Sequence, residues 1–100
     1  MPTVYITCPP EAAGELAATL VDERLAACVN AVDCASTYRW EGEVVTEDER
    51  ILLCKTSDGR VDALIDRVLE RHPHDVPCIE RFDADGLYDP FAAWIDDATA

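Results

Sequence analysis

The stretch ERHPHDVPCIE, residues 70–80, carries both histidines of the chain, His72 and His74, with Cys78 four positions beyond the second. Imidazole is a good ligand for copper or zinc, and two residues of one type at a spacing of two share a face in an extended chain. Val76 and Cys78 follow the same parity. A metal centre needs three or four donors. Cys8 closes an apolar N-terminal stretch and offers a soft thiolate of the kind copper favours. His72, His74 and Cys8 are therefore the candidate metal ligands. A second reading competes with this one. Pro73 pushes the residue before it out of the helical region, and an imidazole at a helix C-terminus meets the negative end of the dipole. Residue types leave both readings open, and the helix end is the simpler, because no third donor lies near in sequence.

Other residues with chemical capacity are few. Lys55 is the only lysine in a chain that otherwise uses arginine, which points to a compact charge at a defined place. Trp40 in YRWEGEV and Trp94 in FAAWIDD read as core or interface anchors, with stacking of a nucleotide on Trp40 as the lesser reading. No GxSxG, P-loop or GxGxxG occurs, and carboxylates are too abundant for any pair of them to be informative. The chain reads as a non-enzyme. Five cysteines (Cys8, Cys28, Cys34, Cys54, Cys78) form no CxxC pair and no zinc-finger spacing. Most of them read as small buried hydrophobes with free thiols in a reducing compartment.

Eight Lys+Arg against 21 Asp+Glu give a formal charge of −13, which opposes any binding to a phosphate backbone and so excludes nucleic acid as a partner. The acidic residues are spread over the whole length. With arginine in preference to lysine, they suggest a halophilic source, whose salty cytoplasm screens such self-repulsion. The 49% hydrophobic content is that of a globular protein. Neither a membrane span nor the basic, apolar start of a signal peptide is present, so a soluble cytoplasmic protein is expected.

The elements that must position these residues follow from periodicity. TVYITC (3–8) reads as a strand ending at Pro9-Pro10, and Glu11 to about Cys28 as an amphipathic helix with Leu16, Leu20 and Val21 on one side. CVNAVDCASTYRW and EVVTEDERILLCKT, joined at Glu41-Gly42, predict a long antiparallel hairpin. Val61, Leu64, Ile65, Val68 and Leu69 predict a helix ending near His72. DVPCIERF is a further strand, and FAAWIDDA a short helix beginning near Pro90. The order β-α-β-β-α-β, with both crossovers right-handed, is the α+β ferredoxin-like arrangement: one domain over 1–100, an antiparallel sheet and an added C-terminal helix. Ile51–Cys54 and Val4–Ile6 are apolar at both parities, whereas two helices cover one face. A second copy of the chain is the simplest cover, so an oligomer is expected.

ERLAACVN (23–30), YRWEGEV (38–44), CKT (54–56), RHPHDVP (71–77) and AAWIDDAT (92–99) together resemble the CutA family of divalent-cation tolerance proteins, in order and spacing over nearly the whole chain. The resemblance implies a homotrimer of ferredoxin-like subunits, tied to copper and other divalent ions and lacking an organic cofactor. In that family copper binding goes with a cysteine ending the first strand and with the histidines of an HHPY segment. The matching residues here are Cys8 and His72, while Arg71 stands where the first histidine is usual. His74 replaces the usual tyrosine, and Cys78 a residue that is usually acidic or small. The family also resembles the trimeric PII signalling proteins. On that alternative Tyr38, Trp40, Lys55, His72 and Trp94 line an inter-subunit cleft for a small anionic ligand.

Overall fold

β-Branched and aromatic residues at the N-terminus form β1, Pro2–Cys8, in a computed structural model that describes all 100 residues, Met1–Ala100. Strict alternation follows from the strand's period of two: Val4, Ile6 and Cys8 are buried, and Tyr5 and Thr7 only partly so. Pro10 occupies the first turn of α1, Pro10–Asp22, where its missing N–H has no helical partner to lose. Ala13, Leu16 and Leu20 face inward from α1.

Two antiparallel strands, β2 (Cys28–Trp40) and β3 (Glu43–Lys55), follow as a hairpin paired along its full length. Its tip lies at Glu41 and Gly42, as the sequence predicts. Their φ values of 50° and 83° are the left-handed pair that suits the twist of the flanking strands. A short 3-10 turn, Asp58–Arg60, leads into α2, Val61–Arg71, and β4 spans Ile79–Asp83. The chain ends in α3, Asp89–Ala98, anchored by Arg60 Nε donating to Thr99 O at 2.7 Å.

The sheet order is β2-β3-β1-β4, antiparallel throughout, which is the expected ferredoxin-like topology. α1 and α2 supply Leu16, Leu20, Leu64 and Val68 to a core shared with Val4, Ile6, Leu52 and Cys54 on one sheet face. The opposite face carries Tyr5, Thr7, Ile51 and Leu53, which stay half-buried, and Val32 and Phe82, which are exposed. Because β1 pairs only with Arg50–Lys55 of β3, the tip half of the hairpin, residues 34–49, projects as a two-stranded arm.

Two boundaries and one exposure on α2 differ from the sequence reading. α1 stops at Asp22 instead of running to Cys28, because Arg24 turns the chain with φ 59° and the N–H groups of Leu25 and Ala26 return to Leu20 O. Leu25, Ala26 and Ala27 are buried as a connection, and Val21 is exposed. Thr56 locks this connection: its Oγ1 donates to Leu25 O at 2.7 Å and its N–H to Pro2 O at 3.2 Å. β4 begins at Ile79 and not at Asp75, since Pro73 and Pro77 lack the N–H a ladder needs. On α2, Leu69 lies on the exposed side although it fits the apolar period.

Candidate functional site

The α2–β4 connection places the two histidines differently. His72 ends α2 with extended backbone and is nearly buried. Its Nε2 donates to Thr7 O at 2.7 Å, and its Nδ1 accepts the His74 N–H at 3.0 Å. A carbonyl only accepts and an amide only donates, so the pair of contacts fixes the tautomer with its proton on Nε2. Both ring nitrogens are in use. The residue joins the end of α2 to β1 and holds the following backbone in place. The His74 ring lies 4.9 Å from that of His72, tilted at 55°, and looks over the open sheet face. The sequence placed the two on one side of a strand. They are neighbours for another reason: residues 73–76 bend, and the first ring caps the second residue's amide.

Beneath His74 the open face forms a cavity of about 640 Å³, with Tyr5 and Thr7 of β1, Tyr38 and Trp40 of β2 and Glu49 of β3 in its wall. Parity explains the membership. Tyr38 pairs with Val45, Ser36 with Glu47 and Cys34 with Glu49, so all these side chains point to the same side. Tyr38 donates its hydroxyl to Glu47 Oε1 at 2.5 Å, and this bond, before burial, raises the pKa of the phenol. Ligand atoms of Glu47, Glu49 and His74 lie within 4.8 Å of one another. Glu49 is 5% exposed, and its Oε2 is enclosed without a hydrogen-bond partner.

The expected ligands are only partly brought together. Cys8 shares the parity of Val4 and Ile6, lies in the core on the helix-covered face and is fully buried. Burial, ahead of the nearby Glu49 carboxylate, pushes its thiol up from the usual value. It belongs to no cluster of three donors; the one such cluster joins His74 to the two glutamates. Of the expected cleft residues, Tyr38 and Trp40 line the cavity with His74. Lys55 lies at the far end of β3, bonded to Asn30, and Trp94 stacks on Phe91 of α3 at 5.8 Å. Neither reaches the cavity wall of this chain. Glu47 and Glu49 were missed by the sequence reading. Both share the parity of Ile51 and Leu53, but a strand so apolar at both parities gives no signal of enclosure in sequence, and of the two only Glu49, the nearer to that pair, is buried.

The fold and site define a small α+β domain of ferredoxin-like topology, with one sheet face sealed by helices and imidazole and carboxylate donors over an aromatic-lined concavity on the other. A model of the family described as CutA1 divalent ion tolerance protein matches residues 2–98. The chain belongs to that family. It is 36% identical over 97 residues to the divalent-cation tolerance protein CutA of Pyrococcus horikoshii, covering 96% of this chain and 95% of that protein. It is 39% identical over 98 residues to the chloroplastic protein CutA 1 of Oryza sativa, covering 96% of this chain. The chain spans about half the length of that relative, 55%. The solved structure of the PII-like protein CutA from Nostoc, in apo form, superposes with a TM-score of 0.96 at 30% identity, covering 100% of this chain and 98% of that one. No helix is long and apolar enough to cross a membrane.

Proposed function

We propose that the chain is a non-enzymatic, homotrimeric protein that binds Cu(II) or another divalent cation weakly and acts in tolerance of such ions. The observation that carries this reading is the donor cluster over the open sheet face, in a chain whose family is described by tolerance of divalent ions. His74 is the donor the geometry favours. Cys8 and His72, the ligands implied by family resemblance, join only if the end of β1 opens, because the thiol is sealed in the core and both His72 nitrogens are bonded. The trimer rests on the apolar residues of the uncovered face and on the free outer edges of the two-stranded arm, both of which a second and third copy can cover. A cytoplasmic setting fits the free thiols, and a high-salt one fits the charge of −13.

Native mass spectrometry tests the assembly, and calorimetric titration with Cu(II) tests the binding. A trimer that takes up Cu(II) saturably, with competition from EDTA, supports the proposal. A monomer, or uptake no stronger than that of Mg(II), sinks it. A second reading is favoured by the cavity itself, whose aromatic wall of Tyr38 and Trp40 suits a small organic ligand in a PII-like sensor. A thermal-shift screen of nucleotides and small anions separates the two, since a specific ligand raises the melting temperature with concentration.

A further inference from the structure

Glu49 Oε2 is the one enclosed side-chain oxygen of the chain without a hydrogen-bond partner. A buried carboxylate oxygen left unpaired costs free energy, and native proteins rarely keep one without an ion, a water or a donor at hand. It belongs to a residue 5% exposed. The nearest chemistry of opposite preference is that of a cation, since the same residue has Glu47 and His74 beside it with ligand atoms within 4.8 Å. Each of the three comes from a rigid support. Glu47 and Glu49 alternate on β3, and His74 is fixed through its own amide by the His72 ring.

We infer that Glu47, Glu49 and His74 form a site for one borderline divalent ion per chain, of the Zn(II) and Cu(II) class. The inference rests on the cation-binding reading but on neither Cys8 nor His72. Donor chemistry sets the class. One imidazole with two carboxylates is too nitrogen-rich for Ca(II) or Mg(II), which take oxygen shells, and lacks the thiolates that Cu(I) selects. Donors about 2.1 Å from a common tetrahedral ion stand roughly 3.4 Å apart, so the cluster has to contract by up to about 1.4 Å. Glu47 can supply that movement by leaving Tyr38, whose hydroxyl bond is its one tie within the cluster. Three protein donors leave a coordination position to water or to a ligand in the adjoining cavity. Ion binding is thereby linked to the Tyr38 and Trp40 wall.

The test uses the full chain, stripped with EDTA and titrated with ZnCl2, which is redox-inert toward the five thiols. Calorimetry in excess Mg(II) gives stoichiometry and affinity, and tryptophan emission follows the wall. One Zn(II) per chain is expected, with an emission change lost in Trp40→Phe. His74→Ala and Glu49→Gln each weaken binding at least tenfold. Metal-free Glu49→Gln melts no lower than the wild type, because no donor is stranded. Saturable binding that survives both His74→Ala and Glu49→Gln, or is lost only in Cys8→Ser, overturns this ligand set and leaves the cation reading standing. Absence of saturable Zn(II) and Cu(II) binding in the wild type overturns both. A lower melting temperature of metal-free Glu49→Gln also overturns the site, since it reveals a hydrogen-bond donor from another copy in place of the ion.

Discussion

His72→Ala separates a structural histidine from a metal ligand. In the wild type this ring makes two hydrogen bonds, to Thr7 O at 2.7 Å and from the His74 amide at 3.0 Å, at a position 9% exposed. Each bond contributes about 1 kcal/mol net, and stranding the Thr7 carbonyl adds about another 1 kcal/mol. The variant should therefore lose roughly 3 kcal/mol of stability in metal-free buffer. For a domain of this size that corresponds to a fall in melting temperature on the order of 10–20 °C. Protein concentration must be held fixed, because assembly contributes to apparent stability. The assay is urea unfolding followed by far-ultraviolet circular dichroism in EDTA. His72→Gln is the companion variant: its amide can still donate to Thr7 O, so it should recover about 1 kcal/mol. The reasoning fails if metal-free His72→Ala unfolds within about 0.5 kcal/mol of the wild type while added Cu(II) no longer stabilises it. That outcome makes His72 a ligand and its two hydrogen bonds incidental.

Thr56→Val keeps the volume but removes the buried hydroxyl bond to Leu25 O, and should lower stability by about 1–3 kcal/mol with an unchanged urea m-value. Glu23 is paired by Arg67 through two contacts of 2.7 and 2.9 Å, and the hydrogen bond from that guanidinium holds its pKa below 4.5. A lowered folded pKa stabilises the fold above the unfolded value and ceases to do so as pH falls through the folded one. The stability gap between wild type and Glu23→Gln should thus close below about pH 4.5, and a gap that persists at lower pH refutes the assignment. Burial raises the Cys54 thiol to about 12, so mass mapping after maleimide labelling at neutral pH should find Cys54 and Cys8 modified only after unfolding. Native labelling of Cys54 as fast as that of Cys78, which is exposed, contradicts this. With a charge of −13, the melting temperature should rise between about 0.1 M and about 1 M KCl, and equal values count against a high-salt origin.

Local periodicity made most of the fold legible. The i, i+3, i+4, i+7 pattern of α2 and the alternation of β1 each reflect burial on one side of a regular element, and both were read within a residue or two at each end. The end of α1 was not legible in that way. Leu25, Ala26 and Ala27 continue the helix's composition, and the left-handed turn at Arg24 is held by long-range partners, Thr56 and the Lys55 carbonyl. A helical window contains neither of those.

The site was legible in its residue types but not in its membership, and the reason lies in the sheet. A strand residue is committed by parity to one face, and the two faces here offer opposite chemistry: one sealed by α1 and α2, the other open beneath the α2–β4 connection. Cys8 has the donor atom copper prefers, yet it shares parity with Val4 and Ile6, so the fold uses it as a small apolar side chain. Glu49 is one of 21 acidic residues and carries no distinguishing motif, yet it shares parity with Ile51 and Leu53, so its carboxylate is enclosed where charge is expensive. The same rule sorts Tyr38 and Trp40 from Arg39 between them. In so acidic a chain the informative carboxylate is therefore the one placed in an apolar stripe. ILLC is apolar at both parities, so extending it backward through DER singles out no residue by itself. The open face beneath the loop that carries His74 is what distinguishes Glu49 from Asp48 and Arg50 and completes the cluster.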